Sequence, residues 1–353
     1  MSASSHAMIN ETLKRLTVEA ADHFLQMGVS TEAIERIKEC FLFNTQSGKM
    51  FRSRTVVQTG LMLSNHDCTP QQVEDLQILG SLIDFENAAY CVWDDIMDNS
   101  TTRRGLLCWY RRDRVGLMAV NDGCLLKSMI SLMVTKHFKS HPIYVPLLEL
   151  LNDASLRTEL GQNIDLMAAE KLVSLEQFTD DRYQWIIEHK TAYYTFYVPF
   201  AIPFIYLGLA TPKKLEGIYQ IGMLFGLIFQ ARDDFLDVYG NAKTTGKIGT
   251  DITENKCTWL AVEAMKRSDE RQRSVLKSCY GSQNEEDIKR VKEIFDELEL
   301  EVVFEEWNAR KLKKLSATVE RVCAETGIPK DIFSDSLSRF LADPRRDLPQ
   351  PRL

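Results

Sequence analysis

Two short segments of this sequence carry the same pattern of three aspartates. Asp94–Asp98 (DDIMD) and Asp233–Asp237 (DDFLD) each lie within apolar sequence of helical periodicity. On a helix, the first and last aspartate of each segment face the same way. Two carboxylate clusters that face each other across a helical bundle repel unless cations neutralise them. Mg²⁺ prefers oxygen ligands and bridges carboxylates to phosphate oxygens, so the pattern predicts a metal-bound phosphate or diphosphate ligand.

Basic residues flank both acidic segments, which suits a site for such a diphosphate. They are Lys49, Arg52, Arg103, Arg104, Lys190, Lys247 and Lys256. The surrounding sequence is rich in aromatic and aliphatic residues, and a dry wall with aromatic faces can stabilise a developing carbocation. The combination points to carbocation chemistry at a diphosphate ester. The alternative, that the acids, bases and aromatics are ordinary surface and core residues, stays open at this point.

Helical periodicity runs through nearly the whole chain and predicts an all-α fold. One stripe contains Ile288, Val291, Ile294, Phe295 and Leu298. Thr69-Pro70 predicts the start of a long helix that runs towards Asp98, and Ser282 with Glu285 predicts a capping box. No long linker separates independent units, so we expect one domain over residues 1–342 and a mobile polar tail over 343–353.

Composition and charge exclude several classes of protein. The 353 residues carry a formal net charge of −7, which disfavours a nucleic-acid binder. Eight scattered cysteines without metal-type spacing, and a start without a signal or import sequence, predict a cytoplasmic chain. The most apolar stretch, Tyr193–Ala210, contains Pro199 and Pro203 and is predicted to be a buried helix rather than a membrane span.

The sequence strongly resembles the all-trans isoprenyl diphosphate synthases over about Asn10 to Ala342, and in particular the farnesyl diphosphate synthases. The motifs that carry this resemblance are the segments 94–110, 161–166 (GQNIDL), 190–195 (KTAYYT), 229–237, 246–251 and 255–257. The resemblance implies a single large helical bundle of the class I isoprenoid synthase type, with the active-site cavity between the two aspartate-rich helices. It also implies a homodimer that binds a small allylic diphosphate.

The resemblance assigns roles to residues of both motifs. Asp94, Asp95, Asp98, Asp233 and Asp237 would bind Mg²⁺, in a site of three ions that Mn²⁺ can also fill. The allylic diphosphate would be held by Arg103, Lys190, Lys247 and Lys256, and Gln162, Thr191 and Gln230 would line the site. The catalytic set is Asp94, Asp98, Asp233, Lys190 and Arg103.

The site for a second substrate, isopentenyl diphosphate, matches the family less well. Gly48, Lys49, Arg52 and Arg104 match it, but Asn87 stands where the family has glutamine and follows an acid, Glu86. Phe51, Ser53 and Arg232 are further departures from the family pattern. Ala89 and Tyr90 stand where two bulky residues limit the product length, and Ala89 leaves more room.

These departures favour a sesquiterpene synthase, a lyase that ionises farnesyl diphosphate and rearranges the cation to a terpene. The alternative is a prenyltransferase that adds isopentenyl diphosphate to the same kind of cation and forms farnesyl or geranylgeranyl diphosphate. Its support is that Lys49, Arg52 and Arg104 are retained. A third reading, a binding module without activity, is disfavoured because such relatives usually lose aspartates and this chain keeps both triplets.

Overall fold

The computed structural model describes residues 2–46, 48, 50–170, 172–240 and 249–341. The predicted tail, 343–353, lies outside the described residues. The described residues are almost all helical, as the periodicity predicts, and they form two compact units. The first comprises Met1–Asn152 and Val198–Thr211, and the second Asp153–Tyr197 and Pro212–Leu353. The all-α fold is confirmed, whereas the single domain over 1–342 stays a prediction.

In the first unit, a long buried helix carries the first aspartate-rich motif at its C-terminal end. The unit contains α1 (Ser2–Gln26), α2 (Thr31–Gln46), α3 (Phe51–Leu63), α4 (Pro70–Met97), α5 (Met118–Phe138), the start of α6 (Tyr144–Ala169) and α8 (Val198–Tyr206). A small hairpin joins β1 (Thr102–Arg103) to β2 (Leu106–Leu107), and a 3₁₀ turn follows at Trp109–Arg111. The α4 helix packs against α3 and α5, which explains why its middle turns are buried on every side.

The second unit is built around α9, which carries the second aspartate-rich motif. It contains the rest of α6, α7 (Asp180–Ile187), a π-helix (Glu188–Tyr197), α9 (Pro212–Tyr239), α10 (Trp259–Arg267), α11 (Glu270–Cys279), α12 (Glu285–Glu297), α13 (Leu300–Thr326) and α14 (Asp331–Leu341). A 3₁₀ turn, Leu175–Gln177, precedes α7. The stacked rings of Phe235 and Phe304, 4.3 Å apart, join α9 to α13 in the core.

Of the two predicted helix starts, the one at Thr69-Pro70 agrees with the structure and the one at Ser282 differs from it. Thr69 caps α4 through a capping box with Gln72, and Pro70 is its first residue. The capping box predicted for Ser282 and Glu285 is wrong, because Asn284 caps α12 instead. The side chain of Asn284 accepts a hydrogen bond from the backbone N–H of Glu286, a shorter reach than Ser282 would need.

The helix that links α7 to α8 is wound as a π-helix over all of Glu188–Tyr197. Its backbone runs so close to neighbouring helices that glycines are required opposite it. A Cβ atom on Gly161 of α6 would lie 2.2 Å from the backbone nitrogen of Lys190, and one on Gly226 of α9 would lie 2.1 Å from the Cβ of Ala192. These glycines therefore determine where the π-helix can lie.

The apolar stretch Tyr193–Ala210 comprises the end of this π-helix and α8, and its rings are buried. Across the described ranges, no helix is both long and apolar enough to cross a membrane.

Candidate active site

The first aspartate-rich motif ends α4. The last turn closes with the backbone N–H of Asp98 donating to the carbonyl of Asp94 at 2.8 Å, and the next residue, Asn99, has a positive φ of 50°. Asp94 and Asp98 therefore stand one turn apart at the helix end, and both are half-buried. Asp95 lies between them in the sequence but is only 3% exposed. The spacing thus leaves two carboxylates of the motif in contact with solvent.

Arg103 holds the two adjacent carboxylates of this motif together. Its Nη2 donates to Asp94 Oδ2 at 2.9 Å, and its Nε donates to Asp95 Oδ1 at 2.7 Å. Burial raises the pKa of Asp95, and the charge and hydrogen bond of Arg103 offset only part of that effect. The hairpin brings Arg103 back to the helix because Arg104 and Gly105 both adopt positive φ, as a tight two-residue turn requires.

The residues predicted to bind a second diphosphate form part of the same unit. Gly48 lies beside Arg104, since a Cβ on Gly48 would stand 3.2 Å from the Cζ atom of that guanidinium. A buried carboxyl, Asp84, faces this group. Burial raises its pKa to about 6, although the Ser53 hydroxyl and the charges of Arg52 and Arg104 act in the opposite direction.

The remaining positions of this predicted subsite are buried or not described. Lys49 lies outside the described residues. Asn87 is 7% exposed and Ala89 is fully buried on α4. The hydroxyl of Tyr90 donates to Glu86 Oε1 at 3.2 Å, so this acid is engaged within its own helix.

The second motif, on α9, has a buried middle aspartate too. Asp234 is 3% exposed and accepts hydrogen bonds from the Tyr183 hydroxyl at 2.6 Å, from Gln230 Nε2 at 2.9 Å and from the backbone N–H of Trp259 at 2.9 Å. Burial raises the pKa of Asp234 to about 7, against the effect of these donors. Its neighbour Asp233 is half-buried. Asp234 thus joins α9 to α7 and α10.

The last aspartate of the second motif binds the backbone that follows α9. Asp237 accepts from the N–H groups of Thr250 and Asp251 at 3.3 and 3.0 Å. Gly249 passes so close that a Cβ on it would lie 1.9 Å from the carbonyl oxygen of Asp237. Lys247, predicted to bind diphosphate, lies outside the described residues.

A carboxylate that was not predicted as a site residue holds two predicted lysines together. Asp165 Oδ2 accepts from Lys190 Nζ at 2.7 Å and from Lys256 Nζ at 3.0 Å. Burial alone would raise the pKa of Asp165, but the two ammonium groups outweigh it and hold the pKa below its usual range. The segment GQNIDL, which contains Asp165, was the signal that pointed to it in the sequence.

Two other predicted lining residues connect this lysine pair to the second motif. The Thr191 hydroxyl donates to Gln230 Oε1 at 3.2 Å, and Gln230 in turn donates to Asp234. Gln162 is half-buried on α6. The second unit therefore brings together the lysines, Thr191 and Gln230, while the first brings together Asp94, Asp95 and Arg103.

The donor set suits Mg²⁺, although no group of three His, Cys, Asp or Glu side chains in the described ranges is close enough to hold a metal by itself. Mg²⁺ commonly takes only one or two carboxylates and completes its shell with water and substrate phosphates. Asp94, Asp98 and Asp233 offer half-buried carboxylates for this role. The placement of a cavity between the two aspartate-rich helices stays a prediction, since the motifs belong to different units.

Comparison with known proteins gives consistent matches over most of the chain. Residues 34–298 match the family model described as Polyprenyl synthetase. The farnesyl pyrophosphate synthase of Schizosaccharomyces pombe is 35% identical over 323 residues, which cover 91% of this chain and 93% of that protein. The farnesyl pyrophosphate synthase of Rattus norvegicus is 39% identical over 313 residues, 88% of each chain. A solved structure of T. brucei farnesyl diphosphate synthase, complexed with the bisphosphonate BPH-722, aligns with a TM-score of 0.90 and 26% identity, covering 98% of this chain and 100% of that one.

These matches correct the functional expectation drawn from the sequence. The expectation of a sesquiterpene synthase, a lyase, is wrong, because relatives that match along nearly the whole chain are named as farnesyl pyrophosphate synthases. The matches favour the alternative reading instead. The departures at Phe51, Ser53, Asn87 and Arg232 therefore do not indicate a lyase.

Proposed function

The chain belongs to the polyprenyl synthetase family, and from this premise we propose that it is a Mg²⁺-dependent prenyltransferase. It condenses isopentenyl diphosphate with geranyl diphosphate and forms farnesyl diphosphate and free diphosphate. The observation that carries this proposal is the match to farnesyl pyrophosphate synthases over about nine-tenths of the chain. The joining of Lys190 and Lys256 by one carboxylate supports the part of the proposal that concerns binding of the allylic diphosphate.

The first step is loss of diphosphate from the allylic substrate. Lys190 and Lys256 bind the diphosphate oxygens, and Asp165 keeps the two ammonium groups side by side although they repel each other. Arg103 adds a third cation beside Asp94. The carboxylates of Asp94, Asp98 and Asp233 would hold Mg²⁺, which would supply positive charge to the leaving diphosphate. The carbon–oxygen bond breaks, and an allylic cation remains.

The second step joins the two substrates. Arg52 and Arg104, with Lys49 and Gly48, hold the diphosphate of isopentenyl diphosphate. Its double bond attacks the allylic cation, a carbon–carbon bond forms, and a proton leaves to regenerate a double bond. Asp84 is buried near the two arginines, and its negative charge reduces the repulsion between them.

The product length, the ion count, the assembly and the location are finer parts of the same proposal. We propose a farnesyl product, three Mg²⁺ ions that Mn²⁺ can replace, a homodimer and a cytoplasmic location. Exposed apolar side chains at the start of α5, Leu117, Met118 and Val120, support the homodimer. The scattered cysteines support a reducing compartment.

The test is incubation of the purified chain with Mg²⁺, geranyl diphosphate and ¹⁴C-labelled isopentenyl diphosphate, followed by separation of the prenyl diphosphates. We expect label in farnesyl diphosphate and none when either substrate is omitted. Label in a longer diphosphate would change only the product length. Release of diphosphate from geranyl diphosphate without incorporation of label would contradict the proposal.

A further inference from the structure

A small cleft in the second unit contains none of the residues predicted for the reaction. It has a volume of about 270 Å³. Arg157 of α6 forms one wall, Tyr193 and Tyr197 of the π-helix form the back, and the first turns of α9 from Pro212 to Tyr219 form the other wall. All of these elements belong to one unit. The cleft is large enough for a ligand of one or two rings.

Contacts among the described residues hold the guanidinium of Arg157 in place through only one of its nitrogen atoms. Its Nε donates to Asp153 Oδ2 at 2.8 Å, and its Cζ lies 4.6 Å from the centre of the Tyr193 ring. The Tyr193 hydroxyl donates to the same Asp153 oxygen at 2.6 Å. No acceptor in the described part of the chain binds the two Nη groups of Arg157. A fixed guanidinium with free N–H groups is suited to a carboxylate.

Tyr197 contributes a second donor that nothing in the described part of the chain uses. The residue is 9% exposed, and its ring packs against Tyr193 and Tyr219 at centroid distances of 4.7 and 5.7 Å. The hydroxyls of Tyr193 and Tyr219 donate to Asp153 and Glu188, whereas the hydroxyl of Tyr197 has no partner among the described residues. Tyr197 lines the cleft, so its hydroxyl can pair with a ligand bound there.

The acids around the cleft limit how much negative charge a ligand can carry. Asp153 forms an ion pair with Arg157 and accepts a hydrogen bond from Tyr193, and Glu188 accepts from Tyr219. Glu216 is exposed at the rim and accepts from Gln220 at 2.8 Å. Three acids around one arginine disfavour a multiply charged anion such as a diphosphate more than a single carboxylate. Pro212, Leu215 and the tyrosine rings also line the cleft, and their carbon atoms can contact a flat ring.

We propose that this cleft is a second ligand site, which binds a small aromatic monocarboxylate. The carboxylate accepts from the Nη groups of Arg157 and from the Tyr197 hydroxyl, and the ring lies against the tyrosines. The proposal does not depend on the proposed reaction, because it concerns binding by residues outside that set.

The experiment is a titration of the full-length protein with benzoate, followed by calorimetry and by saturation-transfer NMR. Benzamide serves as the uncharged probe of the same shape, and acetate as the carboxylate without a ring. We expect benzoate to bind at least about tenfold more tightly than either, because only benzoate uses both donors and the aromatic wall.

Two variants test the residues. Tyr197→Phe keeps the ring and removes the hydroxyl, and we expect it to weaken benzoate binding about tenfold. Tyr239→Phe, which removes a hydroxyl that donates to Asp296 elsewhere in the unit, is the matched control and should bind as the wild type does. Arg157→Lys should also weaken binding, since lysine lacks the planar fork. The proposal would be overturned if benzamide bound as tightly as benzoate or if Tyr197→Phe left benzoate binding unchanged. Absence of benzoate binding at about 20 mM would also overturn it, because a dissociation constant above this concentration corresponds to very weak binding.

Discussion

Within each aspartate-rich motif, the three carboxylates have different surroundings. The middle ones, Asp95 and Asp234, are 3% exposed and hydrogen-bonded inside the protein, while Asp94 and Asp233 are half-buried. A buried carboxylate that already accepts several donors stabilises the fold around it. The metal-binding role predicted for Asp95 stays a prediction. In the structure, its carboxylate accepts a hydrogen bond from Arg103.

The contact between Asp165 and two lysines leads to a prediction at the residue scale. Asp165→Asn should lower kcat/KM for allylic diphosphate about 100-fold, because the amide cannot hold two ammonium groups together and leaves them to repel each other. Steady-state kinetics with Mg²⁺ would measure it. Glu149→Gln, at an exposed position of the same helix, is the matched control. Wild-type kinetics in Asp165→Asn would show that the lysine pair needs no counter-charge.

The raised pKa of Asp84 leads to a prediction about stability and pH. The folded protein binds a proton at Asp84 up to about pH 6, while an unfolded chain releases it near its ordinary value. The folded state therefore binds more protons in this range, and its stability falls as the pH rises through it. The amide of Asp84→Asn does not titrate, so the free energy of unfolding of this variant should fall by about 3 kcal/mol less than that of the wild type as the pH rises.

Urea denaturation of both proteins at about pH 4 and about pH 7 would measure this difference. The carboxyl is 6% exposed and its Oδ2 has no hydrogen-bond partner among the described residues, so the effect is not screened by solvent. A constant stability difference between wild type and variant at the two pH values would show that Asp84 does not titrate in this range.

At the scale of elements, the π-helix determines the position of two residues that are proposed to bind or line the diphosphate site. Lys190 and Thr191 lie near its start, and Glu188 at its first residue accepts from the Tyr219 hydroxyl of α9. Glycines on α6 and α9 allow its backbone to approach both helices closely. Its wider turn changes the direction in which these side chains leave the helix, as in other functional π-helical segments.

Gly161→Ala tests this role of the π-helix. A methyl group 2.2 Å from the nitrogen of Lys190 must displace that backbone, so we expect kcat/KM to fall about 100-fold. Gly217→Ala is a matched control, because its methyl group would meet Val322 Cγ1 at 2.5 Å without touching the π-helix. Both variants should lose thermal stability, but only Gly161→Ala should lose activity. Equal losses of activity would mean that general destabilisation is the cause.

At the scale of the whole molecule, the two motifs lie in different compact units yet serve one proposed reaction. Asp94→Ala and Asp233→Ala should each abolish diphosphate release from the allylic substrate, by at least about 1,000-fold, because each removes a carboxylate proposed to bind Mg²⁺. An assay of diphosphate release in a single turnover would measure it, with circular dichroism as the control for folding. Near-normal turnover in either variant would remove that aspartate from the metal site.

The reaction that follows ionisation was predicted wrongly from the sequence. The aspartates and lysines are proposed to act in the loss of diphosphate, a step that comes before the cation either rearranges or meets a second substrate, so these motifs do not distinguish the two outcomes. The distinction depends on whether a second diphosphate is bound, and single changes such as Gln to Asn weaken such a site without removing its arginines. Similarity along the whole chain was the better guide.

The sequence by itself determined the helical fold, the start of α4 and the two aspartate-rich motifs. Periodicity, caps and i to i+4 spacing are local, and local patterns are visible in a single chain. The tertiary structure alone decided that Asp165 joins Lys190 and Lys256, which lie 25 and 91 residues away from it. It also decided which aspartate of each motif is buried, where the π-helix lies, and that Arg157 and Tyr197 share a cleft. Burial and long-range pairing depend on how distant segments pack, and no local pattern contains that information.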